Sequence, residues 1–156
     1  MKHKSQGIFV LSILMLSLLL LSACSSDTQS TPKDTVISLF GAMEKNDQPA
    51  LAHILDLASM MSNTAKDYAL SGGDNPRVFS NPQQILKDLT DDGLTKTRWF
   101  SMQRIIDNVE IMGESATVEV TFVDKDASKG YQTKFGLHFI NNKWKIYSFN
   151  ITTPTE

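Results

Sequence analysis

The hydrophobic period of this chain changes once, near residue 97, and that switch decides what the chain can build. Before it, apolar residues recur at helical spacing; after it they alternate with polar ones, as on a strand with one buried face. Thr31-Pro32-Lys33-Asp34 is a helix start, with a Thr cap, Pro at the first helical position and an acid in the first turn. Val36, Ile37, Phe40 and Met43 follow on one stripe. Asn46-Asp47 ends that helix and can cap a second, predicted to run to about Met61 with Leu51, Ile54, Leu55 and Ala58 on its apolar face. Ser71 to Pro76 (SGGDNP) reads as loop. Asn81-Pro82 repeats the cap-plus-proline signal, and Ile85, Leu86 and Leu89 give a short third helix stopped near Gly93.

Residues 97–112, 115–124, 130–140 and 143–151 then read as four strands rich in Val, Ile, Phe, Thr and Tyr. Gly113-Glu114 and Asn141-Asn142 are tight-turn candidates, and Asp126 to Gly130 is a longer hairpin loop. Connections this short join neighbouring antiparallel strands. The fold class is therefore α+β, with N-terminal helices packed on a curved four-stranded antiparallel sheet. Curvature is expected because two strands change parity. Phe100 and Met102 are even where Ile105, Val109 and Ile111 are odd, and Trp144 and Ile146 give way to Phe149 and Ile151. A one-residue bulge in each would reconcile the pattern and bend the sheet around the first helix.

The N-terminal thirty residues follow different rules. Met1-Lys2-His3-Lys4 is basic, and Ile8 to Leu21 is apolar apart from Ser12 and Ser17. That run is shorter than the roughly 20 residues a membrane span needs and suits a secretory signal. Leu21-Ser22-Ala23-Cys24 resembles the bacterial lipobox, in which a small residue precedes the cysteine that takes the lipid. The resemblance implies cleavage after Ala23 and a diacylglyceryl group on the Cys24 thiol, with a further acyl chain such as palmitate. Each buried CH₂ contributes about 0.8 kcal/mol, so two or three chains on one residue anchor a protein stably. The expected organisation is a signal peptide over 1–23, a lipidated N-terminus and flexible tether over 24–31, an α+β domain over 32–151 and a tail over 152–156. The polar tether (SSDTQST) spans at most about 25 Å at roughly 3.3–3.6 Å per residue, which holds the domain close to the bilayer. Lipid anchoring to the bacterial cell membrane is expected, and where the source has two membranes the resemblance implies the outer one, since Ser25 after the cysteine permits transfer there.

Composition narrows the chemistry. Cys24 is the only cysteine, so a lipidated chain has no internal disulfide, catalytic thiol or thiolate metal site. Beyond residue 23 the chain carries 13 Lys plus Arg against 17 Asp plus Glu, a formal charge of −4. No basic run follows residue 4, so nucleic acid is not an expected partner. Neither His53, opposite the apolar stripe of its helix, nor His138, on the face opposite Phe135, Leu137 and Phe139, is expected in a catalytic site; both read as surface residues. Asp88, Asp91, Asp92, Asp124 and Asp126 show no metal-ligand or paired-carboxylate spacing and read as solvated acids. Glu119 should point away from the apolar face. Tyr68 beside Asp67 is the best catalytic candidate and a poor one, since adjacent helical residues diverge. No catalytic residue, metal or cofactor is assigned. Tyr68, Trp99, Phe100 and Met102 are the candidates for lining a pocket at the open end of the sheet.

Helices followed by a curved antiparallel sheet resemble the nuclear transport factor two-like, or cystatin-like, superfamily. Thr31 to Met43 (TPKDTVISLFGAM), Asn46-Asp47 and Trp144-Lys145-Ile146 are similar to a family of small bacterial lipoprotein domains of unknown function. The resemblance implies a cone-shaped domain over residues 31–151. The superfamily includes isomerases, dehydratases, binding domains and dimerisation modules. Binding of a small molecule or an envelope protein without catalysis is the first expectation. An isomerase or hydro-lyase using the cone pocket is the second, and a homodimer formed through the outer sheet face the third.

Overall fold

The computed structural model describes residues 30–62, 79–126 and 129–152. Asp67, Tyr68, the Ser71–Pro76 stretch and everything before residue 30, Cys24 included, lie outside the described residues.

Helix α1 (Pro32–Glu44) starts as the sequence dictates: Thr31 accepts from the Asp34 amide at 3.1 Å, and Asp34 returns a bond to the Thr31 backbone, closing a capping box. Asp47 caps α2 (Gln48–Ile54) by accepting from the Ala50 amide. The predicted second helix is broken, however. At Leu55 the backbone turns extended, and α3 (Leu57–Ser62) begins afresh with Asp56 accepting from the Ser59 amide. The break has a long-range cause. Leu55 bridges Ile146 in parallel, and the Asp56 amide donates to the Ile146 carbonyl at 2.8 Å, so the chain leaves the helix to cover a sheet edge. Ala58, expected on the apolar stripe, is exposed as a result, and Met60 is buried in its place.

Helix α4 (Pro82–Asp88) has the Asn81 cap. Helix α5 (Leu94–Phe100) replaces the beginning of the predicted first strand. Strand formers at Thr97, Trp99 and Phe100 give way there because packing overrides local propensity. Gly93 sits so close to the carbonyls of Lys87 and Asp88 that a β-carbon there would overlap backbone. That contact turns the chain sharply between α4 and α5, and Trp99 is then delivered to the core.

The sheet is an antiparallel meander in the order β1-β2-β3-β4: Gln103–Met112, Ser115–Asp124, Lys129–Ile140 and Lys143–Thr152. Left-handed Gly113 closes the first hairpin, and Asn141 and Asn142, both at positive φ, close the third. Both expected bulges are present. Ile106 pairs with Val120 but Val109 with Val118, and Leu137 pairs with Ile146 but Gly136 with Ser148. The first bulge lies at 107–108, later than the parity change between Met102 and Ile105 would set it: Met102, Arg104 and Ile106 share the inner side, and Ile105, expected beside Val109, is exposed. The second falls at Tyr147. Together they curve the sheet over α1, and Val118, Val120, Phe122, Phe135, Leu137, Ile146 and Phe149 meet Val36, Leu39, Phe40 and Met43 in the core.

Candidate functional site

The concave interior is where a domain of this shape would hold a ligand, and here it is filled by its own side chains. Trp99 is 2% exposed. Its ring stacks on Phe122 with centroids 5.2 Å apart and meets Phe40, Phe135 and Phe149 at 5.8, 5.6 and 5.5 Å. Phe40 closes edge-on against Phe122 and Phe135 as well. Of the pocket candidates, Trp99 is thus the centre of an aromatic core. Phe100 and Met102 are half-buried against it, and Tyr68 lies outside the described residues.

Arg104 borders this cluster. Its guanidinium carbon lies 3.9 Å from the Phe100 ring centroid and 5.1 Å from that of Phe40, a cation held between two aromatic faces. Burial lowers its pKa, with the Glu44 carboxylate opposing. Nη1 is shielded from solvent and has no hydrogen-bond partner among the described residues.

An imidazole meets a carboxylate on the outer face. His138 Nε2 is 2.9 Å from Asp56 Oδ2, and the imidazole stacks on Tyr147 with centroids 5.0 Å apart. The nitrogen approaches off the line of a hydrogen bond. Asp56 also accepts from the Ser59 amide at 3.1 Å and from its hydroxyl at 2.7 Å. Desolvation works against ionisation of Asp56, but the Ser59 hydrogen bonds and His138 outweigh it and hold the carboxyl below its ordinary range. Gly136 makes the cluster fit, since a β-carbon there would come within 2.9 Å of the Tyr147 ring. Alternation placed His138 on the correct face, but it is not a free surface residue; the Asp56 carboxylate reaches it from the segment bridged to β4. His53 is exposed, and Glu119 faces outward as expected, paired with Lys134 at 2.9 Å.

A groove of about 600 Å³ runs between α4 and α5, lined by Phe79, Gln84, Lys87, Asp88, Asp91, Asp92, Gly93 and Leu94. The acids there are not all solvated. Asp88 is buried and accepts the Thr95 hydroxyl, and the Asp91 amide donates to Asn46 Oδ1 at 2.7 Å. A second concavity of about 330 Å³ lies at the hairpin end of the sheet, where Ser30, Thr31 and Pro32 meet Ile111, Gly113, Phe139 and Trp144. Among the described residues no three His, Cys, Asp or Glu side chains gather as a metal ion would require.

Solved structures settle the architecture. A protein designated Rd1NTF2_05 and carrying five substitutions superposes with a TM-score of 0.53 at 16% identity, covering 77% of this chain and 95% of its own. The fold is NTF2-like. An NTF2-like protein of unknown function from Silicibacter pomeroyi is similar at 17% identity, covering 78% of this chain and 92% of that one, with a TM-score of 0.48. A structure of the type VI effector–immunity complex Tae3–Tai3 from Ralstonia pickettii matches at 18% identity over 81% of this chain and 100% of that one, TM-score 0.46. At these identities the likeness extends to the fold and not to activity. No family model matches the sequence, and no curated protein does.

Proposed function

We propose that this chain is a bacterial envelope lipoprotein, anchored through acyl chains on Cys24, whose NTF2-like domain binds a ligand or protein partner without catalysing a reaction. The observation that carries the binding reading is the packing of Trp99. With five aromatic rings closing the concave interior, recognition has to use the outside of the domain. The groove between α4 and α5 offers Phe79 and Leu94 as apolar contacts beside Asp91 and Asp92, a combination suited to a partner presenting an apolar group and a cation. The anchoring reading rests on the Leu21-Ser22-Ala23-Cys24 sequence and the apolar run before it.

An isomerase or hydro-lyase would draw on Asp56 and His138, the one close carboxylate–imidazole contact among the described residues. That pair faces outward beneath the Tyr147 ring rather than into the cone, which favours a structural role. Dimerisation through the outer face has less behind it, because the centre of that face is laid out in polar pairs, Glu119 with Lys134 and Gln132, and Asp107 with Thr121.

The two parts separate experimentally. Cys24→Ala is expected to leave the domain folded and to abolish lipid attachment, with precursor cleavage followed by immunoblot so that retention through the apolar segment is distinguished from anchoring. Native mass spectrometry of the gently purified chain from residue 26 onward tests binding. A reproducible added mass or a co-purifying protein supports it; a bare chain that also captures no envelope partner removes it.

A further inference from the structure

The end of the sheet formed by the β1–β2 and β3–β4 hairpins exposes apolar groups on both of its faces. Ile111 is 57% exposed, Met112 68% and Ile140 39%, with half-buried Trp144 tilted against Phe139 at 5.2 Å. The two hairpins are joined by a 2.7 Å bond from the Phe139 amide to the Glu114 carbonyl, so these residues form one continuous rim. An exposed tip of this composition is unusual, because hairpin ends are normally polar.

What meets the rim follows from where the described chain begins. Ser30, Thr31 and Pro32 line the same concavity as Ile111, Phe139 and Trp144. Only five residues separate Cys24 from Ser30, a reach of about 20 Å when fully extended. The intervening Ser25-Ser26-Asp27-Thr28-Gln29 is wholly polar and offers the rim no apolar cover. We infer that the hairpin rim, with Met112, Ile111, Ile140 and Trp144, docks onto the surface of the bilayer that holds the lipid, fixing the domain's orientation. This rests on the anchoring reading above. Trp at such a depth places an amphipathic ring at the headgroup level. The charges around the rim balance, Lys33, Lys143 and Lys145 against Asp34, Glu110 and Glu114, so contact is apolar and does not depend on anionic lipid. Docking this way sends the β2–β3 hairpin, with Lys125, away from the membrane, since it lies at the opposite end of the strands.

The test uses full-length protein matured and lipidated in a bacterial host, then reconstituted in neutral phosphatidylcholine vesicles. With Cys24 blocked by lipid, Met112→Cys and, separately, Lys125→Cys each supply one thiol for an environment-sensitive fluorophore. Expected are co-flotation of both proteins with vesicles, blue-shifted emission at 112 and loss of that emission when brominated lipid is included, with no loss at 125. Flotation with equal, negligible quenching at both positions overturns docking while leaving the anchor intact. A blue shift at 112 that brominated lipid does not quench puts a second copy of the chain on the rim and also overturns it. Failure to float removes the anchor, and the docking with it.

Discussion

Replacing Trp99 by Ala tests whether the cone is a core or a binding cavity. Truncating a fully buried large aromatic costs about 3–5 kcal/mol through lost burial and the cavity left behind. Trp99 also makes four ring contacts, with centroids between 5.2 and 5.8 Å, to Phe40, Phe122, Phe135 and Phe149. Each such pair adds about 0.5–1.5 kcal/mol beyond area. These contributions overlap, so the expected loss is at the top of the range, about 5 kcal/mol, and not their sum. Against a typical stability of about 5–15 kcal/mol the variant should be marginal but foldable near 15 °C. Urea titration by far-ultraviolet circular dichroism measures this on the non-lipidated chain from Ser25. Indole should then restore part of the loss, about 1.4 kcal/mol at tenfold excess over its dissociation constant, because it refills an apolar hole. The parent should gain nothing from indole. A loss below about 1 kcal/mol, or equal stabilisation of parent and variant by indole, would show that the cone is open and refute the reasoning.

Asp56→Asn should keep the helix cap, since Asn caps about as well as Asp, but remove the carboxylate's charge, lowering stability at neutral pH by at most about 1 kcal/mol and changing its acid dependence. Because the folded carboxyl titrates below its unfolded value of 3.8, the parent's advantage is present above that pH and shrinks as pH falls through the lower folded value; parallel urea midpoints from pH 7 to pH 2 would show it, and a constant gap would not. Gly93→Ala and Gly41→Ala should act with opposite sign. At Gly93 a β-carbon meets fixed carbonyls of Lys87 and Asp88, costing about 3 kcal/mol or more; at Gly41, mid-helix with open space around it, alanine should stabilise by about 0.5–1 kcal/mol. Thermal melts of the two variants distinguish these outcomes.

Local signals carried most of the fold. Thr31-Pro32, Asp47 and Asn81-Pro82 all cap helices where their chemistry requires, and the paired asparagines and Gly113 turn the hairpins. The parity changes in β1 and β4 announced real bulges because a one-residue slip leaves a visible mark on alternation. What stayed hidden was set by distant partners. Residues 97–100 read as the start of a strand, yet they belong to the helix Leu94–Phe100, which seats Trp99 among four phenylalanine rings drawn from α1 and three strands. The break at Leu55 exists to pair with Ile146, some ninety residues away, and that pairing brings Asp56 to His138. Sequence alternation gives the face on which His138 stands; it cannot give what covers that face. Likewise the apolar content of Ile111, Phe139 and Trp144 was legible, but their meeting with Thr31 at one end of the sheet needed the register.

The proposed membrane anchoring at Cys24 is the premise of the proposed location and of the docking rim, and intact-mass measurement of the protein purified from the membranes of a bacterial host tests it most directly. The expected species has lost residues 1–23 and carries a diacylglyceryl mass, with or without a further acyl chain, that fragmentation assigns to Cys24. A chain that keeps those residues, or one with a free Cys24 thiol, would contradict it.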